Sequence, residues 1–93
     1  MSYTLRDAQH VCWKTYKKLG RNQTVLSLVT GLLEEASKVA TTVKEQPEEV
    51  KQTLATQLSD LLYSVFILAE QYGVNLEEIF LQSVNDRILS NLH

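Results

Sequence analysis

Apolar residues recur at three- and four-residue intervals along almost the whole chain, and one proline and three glycines are all that interrupt them. This spacing suits helices, whereas a half-buried strand would need strict alternation, and no stretch alternates. Thr4-Leu5-Arg6-Asp7 has the form of a capping box with Asp in place of the usual Glu, followed by Leu5, Ala8, Cys12, Tyr16 and Leu19 on one helical face. Gly20 should end that helix. Asn22 is the candidate cap of a second, whose apolar positions run from Val25 through Leu28, Leu32, Leu33, Ala36 and Val39 to Val43. Lys44-Glu45-Gln46-Pro47 is the expected break, because proline disfavours α geometry in the residue before it and fits the first turn of a new helix. Glu48 and Glu49 then sit where the helix dipole favours anions. A third helix continues through Leu54, Leu58, Leu61, Leu62, Val65, Phe66 and Ala69 to a stop at Gly73. Asn75-Leu76-Glu77-Glu78 has the cap spacing for a fourth, with Ile79, Phe80, Val84, Ile88 and Leu92 as its inner face. The expected fold is all-α, with about four helices and a helical hairpin at its core.

Ninety-three residues make one domain, 1–93, because so short a chain cannot divide its apolar side chains between two cores. From Leu61 onward the third helix is apolar on more than one side, which one hairpin cannot cover. A second copy can, so a homodimer or a dimer of dimers is expected. The lone cysteine, Cys12, lies on the apolar face of the first helix and reads as a core residue. With no intramolecular disulfide available and no apolar leader followed by a small-residue cleavage site, the sequence predicts a cytoplasmic address. No apolar run approaches the roughly 20 residues that cross a bilayer.

The net charge of −2 divides unevenly, +4 over the first 21 residues and −6 over the rest. That balance gives no reason to expect a nucleic-acid polymer as partner, and the basic start reads as a solvated helix face. His10 and His93 belong to no metal-ligand pattern.

More informative are the polar residues set inside the apolar helices. Glu34 and Glu35 directly follow Leu32-Leu33, with Lys38 one turn later, and Gln57 and Asp60 share a face three residues apart in the Leu-rich third helix. A short proline-containing turn implies antiparallel packing, which brings the two polar strips together. Read generically, such strips are solvated acids and boundary hydrogen bonds. Facing carboxylates would instead attract a hard cation such as Mg²⁺, which prefers oxygen ligands and binds phosphates beside them.

Leu32-Leu33-Glu34-Glu35-Ala36-Ser37-Lys38-Val39-Ala40 resembles the L-x-E-E-x-x-E-x-x helix of the MazG-like nucleotide pyrophosphohydrolases, in the all-α NTP pyrophosphatase superfamily. Gln57-Leu58-Ser59-Asp60-Leu61-Leu62 is similar to the family's E-x-x-D-x-L helix, and Leu68 to Glu78 looks like its turn into the last helix. The resemblance implies a MazG-like helix bundle completed by oligomerisation. It also implies Mg²⁺-dependent hydrolysis of a nucleoside triphosphate to the monophosphate and pyrophosphate. Glu35 and Asp60 match the first and last of the four motif acids, which makes them the candidate catalytic and metal-binding residues. Lys38 stands in place of the second acid and Gln57 in place of the third.

Four acids would carry −4, whereas these four residues sum to −1. Two unit charges 4 Å apart interact by roughly 4 kcal/mol at an effective dielectric near 20, and an ammonium repels Mg²⁺ on at least that scale. The Gln57 carbonyl and the neighbouring Glu34 complete the candidate metal ligands. Trp13, Lys17 and Lys38 are the candidate substrate contacts, with Trp13 or Tyr16 available to stack on a base. Two functions follow: a pyrophosphohydrolase with weakened or lost activity, or a non-catalytic helical oligomer that binds a nucleotide or a protein partner.

Overall fold

A computed structural model describes residues 4–20, 23–45 and 50–91. Four helices run in order: α1 Leu5–Lys18, α2 Val25–Glu45, α3 Val50–Gln71 and α4 Leu76–Asn91. No strand occurs among the described residues, and none of their helices is long and apolar enough to cross a membrane.

Local chemistry sets the ends of these helices. At α1 the capping box closes in both directions: Asp7 N donates to Thr4 Oγ1 at 3.0 Å and Thr4 N to Asp7 Oδ2 at 3.2 Å. Gly20 ends the helix with φ of 72°, a left-handed geometry that glycine adopts without a Cβ penalty. The cap of α2 is Thr24, whose Oγ1 accepts from Ser27 N at 3.1 Å, two residues past the expected Asn22, which lies outside the described residues. The expected break at Pro47 and the acids Glu48 and Glu49 also lie outside them, bracketed by the end of α2 and the start of α3. Gly73, with φ of 64°, closes α3. There Val74 N donates to Ala69 O at 2.9 Å and Gly73 N to Glu70 O at 3.2 Å, the paired bonds of a Schellman ending. Asn75 caps α4 as its spacing implies, accepting from Glu78 N at 3.4 Å.

With only four residues between them, α2 and α3 pack as an antiparallel hairpin, and α1 lies across α3. The core is small. Tyr16, Leu28 and Ile67 form its centre, Ile67 being 1 % exposed, and Cys12, Trp13, Tyr63 and Leu68 pack around them. Cys12 is half-buried against this cluster, and burial pushes its thiol above the ordinary range.

Gln9 supplies the second anchor. This buried amide donates from Nε2 to Glu70 Oε1 at 3.1 Å and to Val74 O at 2.8 Å, and its Oε1 accepts from Leu76 N at 3.4 Å. One side chain on α1 thereby holds the end of α3, the following turn and the first residue of α4. The neighbouring His10 joins this cluster from the solvent side, its Nδ1 2.9 Å from Glu70 Oε1.

The expected inner face of α4 is not covered within one chain. Ile79 and Phe80 are each 56 % exposed and Ile88 54 %, Val84 is half-buried, and Leu92 lies outside the described residues. On the hairpin, Leu33, Leu58 and Leu62 are exposed as well. The chain presents 7395 Å² to solvent, against roughly 5,500 Å² for a compact monomer of its mass. Its radius of gyration of 15.6 Å likewise exceeds the roughly 12 Å of a compact domain of this length.

Candidate functional site

Ser27, Gly31, Glu35 and Lys38 lie four, four and three residues apart along α2, so they share one stripe of that helix. On α3, Gln57, Asp60, Ser64 and Ile67 form the matching stripe. In the antiparallel hairpin the two stripes line a single cavity of about 310 Å³, which Tyr16 from α1, Gln23, Leu28 and Tyr63 complete. The space exists because Ser27 and Gly31 are small: a Cβ added at Gly31 would meet no atom within 4 Å.

All four positions of the acidic motif, Glu35, Lys38, Gln57 and Asp60, therefore face one another across this cavity. Their engagement differs. Ser64 Oγ donates to the Glu35 carboxylate, 2.9 Å from one oxygen and 3.1 Å from the other. Gln57 Oε1 is closed off from solvent and has no hydrogen-bond partner. Asp60 and Lys38 are exposed at the cavity's edge. Among the described residues no carboxylate comes within 4 Å of the Lys38 ammonium, so Lys38 does not neutralise Glu35 or Asp60 by direct pairing.

The remaining candidates lie elsewhere. Glu34, one residue and hence about 100° around α2 from Glu35, is exposed and lines a separate groove with Gln23, Thr24, Leu26 and Thr30. It does not turn inward. Trp13 and Lys17 do not line the cavity either. Their three- and four-residue spacing on α1 directs them onto each other: Trp13 stacks on Tyr16 with ring centroids 5.6 Å apart, and Lys17 Nζ lies 5.4 Å from the Trp13 ring centre. Tyr16, which does line the cavity, accepts from Gln23 N at 2.8 Å, and this bond ties the start of α2 to α1.

The sequence reading missed Ser64. Its signal was present, since a serine breaks the apolar run Leu61–Ala69 one turn after Asp60 and so falls on the same face.

The resemblance calls for Mg²⁺ at this place, and the residues present do not fit it. Mg²⁺ requires a near-octahedral set of oxygens, yet among the described residues no three His, Cys, Asp or Glu side chains group as metal ligands. Glu35 and Asp60 are the two carboxylates on the cavity, the Gln57 carbonyl oxygen is closed from solvent, and Lys38 adds a positive charge.

Comparison with known proteins gives one family. No curated protein and no solved structure matches the chain. Residues 23–88 match the profile of the MazG nucleotide pyrophosphohydrolase domain. That stretch contains α2, α3, the turn at Gly73 and most of α4, hence both motif stripes and the whole hairpin. The chain belongs to the MazG nucleotide pyrophosphohydrolase domain family.

Proposed function

We propose that this chain is a nucleotide-binding MazG-family protein whose hydrolysis of nucleoside triphosphates to monophosphate and pyrophosphate is reduced to a trace or lost. The observation that carries this reading is the cavity between α2 and α3, where Glu35 and Asp60 remain at their motif positions while an ammonium and an amide occupy the other two. Cavity, hairpin and motif spacing favour retained ligand binding. The charge balance of −1 opposes retained chemistry, because holding a metal that activates water needs the missing anions. Calorimetric titration with nucleotides, paired with an assay of pyrophosphate release under Mg²⁺ or Mn²⁺, tests both halves. The expected result is binding with turnover far below the common range of about 1–1,000 per second. Turnover within that range would overturn it.

The protein acts as an oligomer of this one chain. Supporting this are the apolar side chains that α4 and the hairpin leave in solvent, and the roughly 1,900 Å² of surface beyond that of a compact monomer. A stable dimer covers about 800 Å² per partner, so one or two such contacts account for the excess. Light scattering after size exclusion should show at least a dimer at micromolar concentration. Phe80→Asp with Ile88→Asp should give monomeric or unfolded chains; a monomeric wild type would refute the assembly.

A further inference from the structure

We propose that the α2/α3 cavity takes a nucleoside monophosphate without a divalent ion, with the phosphate held at Lys38. This rests on the nucleotide-binding reading above and adds the ligand class.

Charge favours this ligand. Among the described residues lining the cavity, Lys38 is the one cation, facing the two carboxylates of Glu35 and Asp60. Its ammonium is exposed and has no carboxylate within 4 Å, so it is free to receive an anion at the cavity's edge. A single ammonium offers three donors, enough for one phosphoryl group. Each further phosphate would add negative charge facing Glu35 and Asp60 with nothing to offset it.

In the motif's full form a divalent ion supplies that offset. Here two of the four anions that would hold such an ion are replaced by the Lys38 ammonium and the Gln57 amide, whose Oε1 is closed from solvent. With no divalent ion to offset them, Glu35 and Asp60 select against a polyphosphate chain.

Size and lining agree with this choice. At about 310 Å³ the cavity is at the small end of ligand sites, which run from about 300 to 1,000 Å³. Its inner end is apolar, formed by Leu28, Ile67 and the Tyr63 ring, a surface suited to a nucleoside body. The charged phosphate then remains outermost, beside Lys38.

The test is calorimetry on the full chain with AMP, CMP, GMP and UMP, the matching triphosphates and the matching nucleosides, first with a chelator and then with Mg²⁺. At least one monophosphate should bind about tenfold tighter than its own triphosphate. Its affinity should stay within about twofold when Mg²⁺ replaces the chelator. Lys38→Ala should weaken the monophosphate about tenfold without changing nucleoside binding, and Lys38→Arg should restore it. Tighter binding of the triphosphate, a requirement for Mg²⁺, or a monophosphate affinity indifferent to Lys38→Ala would each overturn the proposal while leaving nucleotide binding intact. If no nucleotide binds under either condition, the broader reading falls as well.

Discussion

Replacing Lys38 and Gln57 together by glutamate should raise the affinity of the chain for Mg²⁺ about a hundredfold or more. Lys38→Glu exchanges a positive charge for a negative one and Gln57→Glu adds a second carboxylate, taking the four motif positions from −1 to −4. Lys38 is exposed, so the weak-interaction limit is the appropriate one, about 1 kcal/mol per unit charge at 4 Å in a water-like medium. Against a doubly charged ion three units give at most roughly 6 kcal/mol, and halving that for solvent screening leaves about two decades in affinity. The Gln57 half also acts through a buried position, where a new carboxylate without a cation would be costly to maintain. The double variant should therefore be less stable than the wild type in chelator and recover when Mg²⁺ is added. Titration calorimetry gives the affinity and a thermal melt gives the recovery. An unchanged Mg²⁺ affinity would show that Lys38 and Gln57 are not the altered motif positions.

Ile67→Ala is expected to lower the melting temperature by at least about 10 °C. Ile67 is the most deeply buried large side chain, packed with Tyr16 and Leu28 at the centre of a core that contains few others. Truncating a buried isoleucine costs about 2–5 kcal/mol, and in a domain this size each kcal/mol moves the midpoint by roughly 4–8 °C. A cavity already borders Ile67 on one side, so the emptied space merges with it rather than collapsing. Ile67→Val should cost only about 0.5–1.5 kcal/mol. A melt of the alanine variant within a few degrees of wild type would place the centre of the core elsewhere.

Much of the architecture could be read from the sequence because helix ends are written in a few residues. Thr4 with Asp7, Gly20, Gly73 and Asn75 act through local hydrogen bonds or a left-handed φ, and each does in the structure what its spacing implies. Asn22 was a misleading cap, since Thr24 has the same chemistry and lies closer to the first helical residue. The pairing of the two motif stripes was also legible, since residues three and four apart share a face and a short turn forces the hairpin. Less legible was anything that depends on a distant segment. The spacing of Ile79, Phe80 and Ile88 marks one side of α4 as apolar without saying whether the same chain covers it, and here it does not. Gln9 and His10 gave no signal because their partners, Glu70, Val74 and Leu76, are about 60 residues away. Trp13 and Lys17 read as ligand contacts from residue type, whereas their spacing of three and four residues also predicts the contacts with each other and with Tyr16 that the structure has.

Tyr16, Leu28 and Ile67 are at once the centre of the core and part of the wall of the cavity. Whatever occupies that space touches the side chains whose packing decides between the folded and unfolded chain, so occupancy and unfolding are thermodynamically linked. A ligand at a hundred times its dissociation constant would add about 2.7 kcal/mol, enough to displace a melting curve by many degrees. A library of small metabolites can accordingly be screened by heat alone, before any reaction has been assigned.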